Sequence, residues 1–117
     1  MKIVYLISLL LAYSYQAVSH AHAVVTDYSL KSVAIQAQHR DQVTLNFNSK
    51  IELGLSQIFL VSKGDKLTLL KLFNGDKQGQ IRVAIPPITA GDYALKLKVF
   101  AADGHLTEDI IHFTVTP

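Results

Sequence analysis

The stretch that decides the fold is Tyr93-Ala94-Leu95-Lys96-Leu97-Lys98-Val99-Phe100, the longest segment in which apolar and polar side chains alternate. Alternation with a period of two places successive side chains on opposite faces, which is typical of a strand with one buried face. Shorter segments on both sides of it, some alternating and one (58–61) continuously apolar, predict further strands at 43–48, 58–61, 67–73, 81–85 and 109–115. Turn residues separate these segments about every 8 to 12 residues, which is typical of an all-β sandwich.

The composition narrows the chemistry that this domain can perform. The 117 residues are enough for one domain, and the 11 Lys and Arg against 9 Asp and Glu are interspersed, so nucleic acid is not an expected partner. There is no cysteine, which excludes disulfides, thiolate metal sites and cysteine nucleophiles. The one methionine is Met1, so thioether ligands for Cu(I) are absent from the rest of the chain. Five histidines and the carboxylates remain as metal ligands.

The N-terminal segment has the pattern of a secretory signal peptide. Lys2 precedes an apolar run over 3–12, and small residues follow that run. The run is shorter than the roughly 20 residues that a membrane-spanning helix needs. The sequence therefore predicts export rather than a membrane anchor.

Two cleavage positions satisfy the preference for small residues before the cut. Cleavage after Ser19 makes His20 the first residue of the mature chain, and cleavage after Ala21 makes it His22. In both cases the mature protein begins with histidine. The predicted division is a signal peptide at 1–21 and a single mature domain at 22–117.

The loop between the two longest predicted strands contains Asp103-Gly104-His105. Asp and His two positions apart can direct a carboxylate and an imidazole at one ion, and the glycine between them lets the backbone bend. The alternative interpretation needs no metal, because Asp-Gly is also a favoured pair for a two-residue type I′ hairpin turn.

A histidine at the processed N-terminus offers a second set of ligands. Its α-amine and its imidazole can chelate one metal, and nitrogen donors with a carboxylate suit tetragonal Cu(II) or Ni(II). The alternative is that His20 and His22 merely follow the cleavage site and have no partner. If the first strand ran beside the final hairpin, the N-terminus and the loop at 103–105 would meet.

Several segments resemble the CopC family of periplasmic copper-resistance proteins. They are His20-Ala21-His22-Ala23-Val24-Val25, Gln42-Val43-Thr44-Leu45-Asn46-Phe47, Ile51-Glu52-Leu53-Gly54-Leu55-Ser56, Ala90-Gly91-Asp92-Tyr93, Ala101-Ala102-Asp103-Gly104-His105-Leu106-Thr107 and Phe113-Thr114-Val115. The resemblance implies a small Ig-like Greek-key β-sandwich, a cupredoxin-like barrel, in the periplasm. It also implies Cu(II) ligands, carried over as His22, Asp103 and His105, with His20 in place of His22 if cleavage follows Ser19. The spacing to the Val-Val pair favours His22, and the lack of a mature methionine resembles the Cu(II)-only members.

The expected function is copper binding in resistance, homeostasis or trafficking, without catalysis and without a small-molecule substrate. The partners that the resemblance implies are the copper ion and an inner-membrane copper transporter of the CopD type. One alternative is an exported Ig-like interaction module that docks such a transporter. A third hypothesis is a copper-dependent oxidative enzyme, since histidine-amine chelation of copper also occurs in polysaccharide monooxygenases. Neither His39, in a polar loop, nor His112, on the strand face opposite Ile111 and Phe113, is expected to bind metal.

Overall fold

The structure, a computed structural model, describes residues 23–117. In this part of the chain the strands are β1 (Val25–Tyr28), β2 (Ile35–Gln36), β3 (Asp41–Phe47), β4 (Gln57–Ser62), β5 (Lys66–Leu69), β6 (Leu72–Asn74), β7 (Gln80–Ile85), β8 (Gly91–Phe100) and β9 (Leu106–Thr116). Single 3₁₀ turns occur at Ser29–Lys31 and Leu53–Leu55. Over residues 23–117, no helix has the length and hydropathy required to cross a membrane.

The strands form two sheets that enclose one core. The first sheet has the order β1-β3-β7-β6, and the second has the order β2-β9-β8-β4-β5. Only the β2–β9 pair is parallel among the described strands, and the other neighbours are antiparallel. Neighbours such as β3 and β7, or β4 and β8, are distant in sequence, so connections pass from one sheet to the other. The predicted all-β Greek-key sandwich is confirmed.

The alternating pattern of β8 corresponds to its burial. Leu95, Leu97 and Val99 are almost fully buried, whereas Lys96 and Lys98 between them are partly exposed. The neighbouring β9 follows the same rule, and the opposite sheet supplies the facing side of the core with Val43, Leu45, Ile81, Val83 and Ile85. Burial of these branched side chains is the main favourable term in folding a domain of this size.

The prediction of a single strand at 67–73 is wrong, because the structure divides this segment between the two sheets. β5 pairs with β4 in the second sheet, and β6 pairs with β7 in the first. Leu70 lies between them and is buried, and its N–H donates to the carbonyl of Ile58 at 2.9 Å. Alternation shows which side chains are buried but does not show which sheet buries them. The consecutive apolar pair Leu69-Leu70 marks the crossing point.

Replacement of Leu95 should test how far the core depends on this alternating stretch. Leu95→Ala should lower the free energy of unfolding by about 2–5 kcal/mol, because it leaves a cavity between the sheets. Leu69→Ala is the matched control, since Leu69 is 58% exposed, and should change the free energy by no more than about 0.5 kcal/mol. Urea unfolding followed by circular dichroism measures both values. Equal losses would contradict the assigned burial.

Candidate metal centre

The loop that joins β8 to β9 is a tight hairpin connection. Beyond the last strand pair, Ala101 N–H donates to the carbonyl of His105 at 3.0 Å, and Gly104 N–H donates to the carbonyl of Ala101 at 2.9 Å. Residues 102–104 therefore form the three-residue tip of the loop. A type I′ turn requires positive φ at both of its central residues, but within this loop only Gly104 has it, at 88°. The two-residue type I′ turn considered from the Asp-Gly pair is therefore not the turn that forms.

The loop brings the side chains of Asp103 and His105 into direct contact. His105 Nδ1 lies 2.9 Å from Asp103 Oδ2, and the backbone N–H of His105 donates to Asp103 Oδ1 at 3.0 Å. The carboxylate thus orients both the imidazole and the backbone that carries it. The Asp103 side chain is 35% exposed and the His105 side chain is 48% exposed, so solvent reaches the pair at the end of the sandwich.

The geometry of this pair suits a transition-metal ion. Nitrogen and carboxylate donors bind such ions at about 2.0–2.2 Å, so two donors at right angles lie about 3 Å apart. The observed 2.9 Å between Nδ1 and Oδ2 is compatible with that spacing, and it is also the ordinary length of an N–H···O hydrogen bond. An imidazole with a carboxylate suits copper, nickel or zinc better than calcium or magnesium. Over residues 23–117, no group of three or more His, Cys, Asp or Glu side chains comes together.

The N-terminal strand approaches this loop by a different route from the one considered in the sequence. β1 pairs with β3 in the opposite sheet, and not with β8 or β9. The chain that follows β3 makes the connection, because Asn48 bonds to Val24 while the carbonyl of Lys50 accepts the N–H of Ala102 at 3.0 Å. Segment 48–50 therefore contacts both the start of β1 and the loop. Ala23, the first described residue, is fully buried at this end.

Both candidate N-terminal ligands, His20 and His22, lie outside the described residues, as does the predicted signal peptide at 1–21. His22 is covalently joined to Ala23, which is in the core. The assignment of His22, Asp103 and His105 as one set of ligands stays a prediction. The structure brings two of these three residues, Asp103 and His105, into contact.

The other two histidines are distant from the loop. His112 is exposed in the middle of β9, roughly 20 Å along the strand from Leu106. His39 is exposed and precedes β3 at the end opposite to Phe47. The expected outward orientation of His112 is confirmed.

Two residues at this end were not singled out from the sequence. Asn48 bonds to Val24 through its backbone N–H and its side chain. The Oγ of Ser49 is buried and makes no hydrogen bond within residues 23–117. Nothing in a polar run after a strand distinguishes such residues from an ordinary turn, because their roles depend on which segment packs against them.

Comparison with known proteins gives a family and a fold. A family model described as the CopC domain matches residues 25–116. CopC from Methylosinus trichosporium OB3b superposes with a TM-score of 0.67 and 28% identity, covering 82% of this chain and 95% of that one. PcoC, a methionine-rich copper resistance protein from Escherichia coli, gives 0.62 and 22%, covering 82% and 100%. No curated protein sequence matches the chain.

The conformation of Gly104 leads to a prediction for the loop. Gly104→Ala should lower the free energy of unfolding by about 1–2 kcal/mol, because a Cβ disfavours positive φ even where space is open. Gly54→Ala is the matched control, since a Cβ at Gly54 would also meet open space but Gly54 lacks positive φ. This substitution should change the free energy of unfolding by no more than about 0.5 kcal/mol. Thermal and urea unfolding measure both. A loss at Gly54 as large as at Gly104 would contradict the turn geometry.

Proposed function

The chain belongs to the CopC family, and from that premise we propose that it is an exported copper-binding protein of copper resistance, homeostasis or trafficking. Its ligands for Cu(II) are His22, Asp103 and His105, with His20 in place of His22 if cleavage follows Ser19. The observation that carries the proposal is the 2.9 Å contact between the imidazole of His105 and the carboxylate of Asp103.

The complete ligand set has the chemistry that Cu(II) prefers. A first residue His22 supplies its α-amine and its imidazole, His105 supplies a second imidazole, and Asp103 supplies an oxygen. Three nitrogens and one oxygen suit a tetragonal ion, and Cu(II) leads the divalent affinity order. Cu(I) would favour thioether or thiolate ligands, and the chain after Met1 has neither Met nor Cys. The carboxylate also offsets part of the charge of the ion.

The position of the pair suits a protein that carries the ion rather than one that transforms a substrate. Asp103 and His105 are partly exposed on a hairpin tip, so a donor or an acceptor can reach a bound ion without opening the core. The ion is cargo in this proposal, and no reaction is assigned to it. The periplasm is the proposed compartment, and an inner-membrane transporter of the CopD type is the proposed acceptor.

Extension of the N-terminus tests the amine ligand. One glycine inserted before His22 converts its amine into a peptide nitrogen, so Cu(II) affinity should fall by about 100-fold or more. Loss of an outer-shell partner alone costs about 10- to 100-fold. The control adds one glycine after Pro117 and should bind as the unmodified mature protein does. Competition titration against a copper chelator measures the affinities. Equal affinity of the two extended proteins would exclude the amine as a ligand.

Substitution of the loop residues tests the other ligands. His105→Ala should weaken Cu(II) binding more than Asp103→Ala, because water can occupy a vacated oxygen position but replaces an imidazole poorly. His112→Ala is the matched histidine control and should leave the affinity unchanged. Far-ultraviolet circular dichroism should be the same for all three, since Asp103 and His105 lie on a loop and the His112 side chain is exposed on its strand. A loss in the His112 variant as large as in the His105 variant would mean that the wrong histidine has been assigned.

A further inference from the structure

We propose that the free edge of β5 is a surface at which two copies of this chain associate by antiparallel strand pairing. The association joins the second sheet of each copy into one continuous sheet. It goes beyond the proposed function and does not depend on it, since β4 separates β5 from the β8–β9 hairpin that carries the candidate metal site.

The exposure and sequence of β5 make it an open edge. β5 is the last strand of the second sheet, and β4 is its only partner strand among residues 23–117. All four of its side chains are exposed, with Leu67 at 49% and Leu69 at 58%. Between Lys66 and Lys71 the sequence contains no charged residue and no proline. Charges and proline are the residues that usually prevent an edge strand from pairing with another chain.

Two other edges in the described part of the chain carry protection that β5 lacks. Asp109 on β9 pairs with the buried Leu97, so the carboxylate lies on the inward face of an edge that β2 leaves uncovered there. β1 has a shift of register between Val25 and Asp27, which interrupts a regular ladder. The edge of β5 is thus the more open to a further strand.

The hydrogen bonds of β5 determine which of its backbone groups remain available. Leu70 N–H donates to the carbonyl of Ile58 at 2.9 Å. In an antiparallel pair, residues that bond across the ladder alternate with residues that do not. Thr68 therefore bonds to β4, whereas the N–H and C=O groups of Leu67 and Leu69 point away from β4. These four groups are the ones that a new strand can bond.

A second copy of the chain satisfies all four groups in a single register. When Thr68 lies opposite Thr68 of the second copy, Leu67 of each copy faces Leu69 of the other and bonds to it. The two ends of the pairing are complementary in charge, because Asp65 and Lys71 lie at equal distances from Thr68. Asp65 of each copy then comes near Lys71 of the other. Both residues are exposed, and neither forms an ion pair within residues 23–117.

The shortness of β5 sets the strength of the association. Pairing through four residues buries well under the roughly 1,200 Å² that specific, stable complexes bury. We therefore expect a weak dimer, with a dissociation constant between about 10 μM and 1 mM. The association has to be measured at high protein concentration.

A single cysteine at the twofold axis tests the register, since the chain has no cysteine of its own. The two Thr68 residues would form a non-hydrogen-bonded pair with Cα atoms about 4.5 Å apart, a distance that a disulfide spans. The matched control is Lys66→Cys on the same edge, where the two copies of the residue would lie about 14 Å apart. In metal-free glutathione buffer, exported and processed Thr68→Cys should form a linked dimer about tenfold faster than Lys66→Cys. Non-reducing electrophoresis measures both rates.

Sedimentation equilibrium of the metal-free processed protein tests the association without a cross-link. The weight-average mass of the unmodified protein should rise toward that of a dimer as the concentration approaches about 1 mM. Leu69→Lys should remain monomeric, because a lysine on the edge opposes strand pairing. The matched control is Ile110→Lys, since Ile110 is 53% exposed on the same face of the same sheet, and it should associate as the unmodified protein does. Circular dichroism verifies that each variant is folded.

Three results would overturn the proposed interface. One is a monomeric mass of the unmodified protein at every concentration, and another is equal cross-linking of the two cysteine variants. The third is an equal loss of association in Ile110→Lys and Leu69→Lys, which would indicate contact through the face of the sheet instead of its edge. None of these results bears on the proposed function, because all the measurements are made without copper.

Discussion

The antiparallel pairing of β8 with β9 is the constraint on which the rest of the structure depends. Ten cross-strand pairs, from Gly91–Val115 to Phe100–Leu106, fix the register of the two longest strands. A slip by one residue would turn every buried side chain of one strand toward solvent. Because the register is fixed at the core, the hairpin closes at a defined point, and that point places Asp103 and His105 together on the loop.

The strands that line the core could be predicted because alternation reports burial directly. Long-range pairing could not, because which sheet receives a segment depends on contacts far away in the sequence. This is why the sequence pattern predicts one strand at 67–73, although the chain crosses between the sheets at Leu70. The Asp-Gly pair located the hairpin loop but not its turn type. The sequence pattern does not single out Asn48, because its contact with Val24 depends on which segment packs beside it.

In the proposed function, the site is assembled from two parts of different origin. The hairpin supplies Asp103 and His105 on a loop closed by backbone hydrogen bonds, and the processed end of the chain supplies the remaining nitrogens. An α-amine exists at His22 only after the preceding residues are removed, so tight copper binding is coupled to processing. A precursor that still carries residues 1–21 would present only a partial site. Export and metal binding would then occur in order, which suits a protein that meets copper outside the cytoplasm.

The central claim is that the mature chain begins with a histidine that completes a one-copper site. Native mass spectrometry of the exported, processed protein, recorded with and without Cu(II), tests it most directly, since one spectrum gives the first residue and the number of ions bound. We predict a chain that begins at His22, or at His20 if cleavage follows Ser19, and that gains the mass of one copper. A chain that begins at a residue other than histidine yet binds copper tightly, or one that begins at either histidine and binds none, would contradict it.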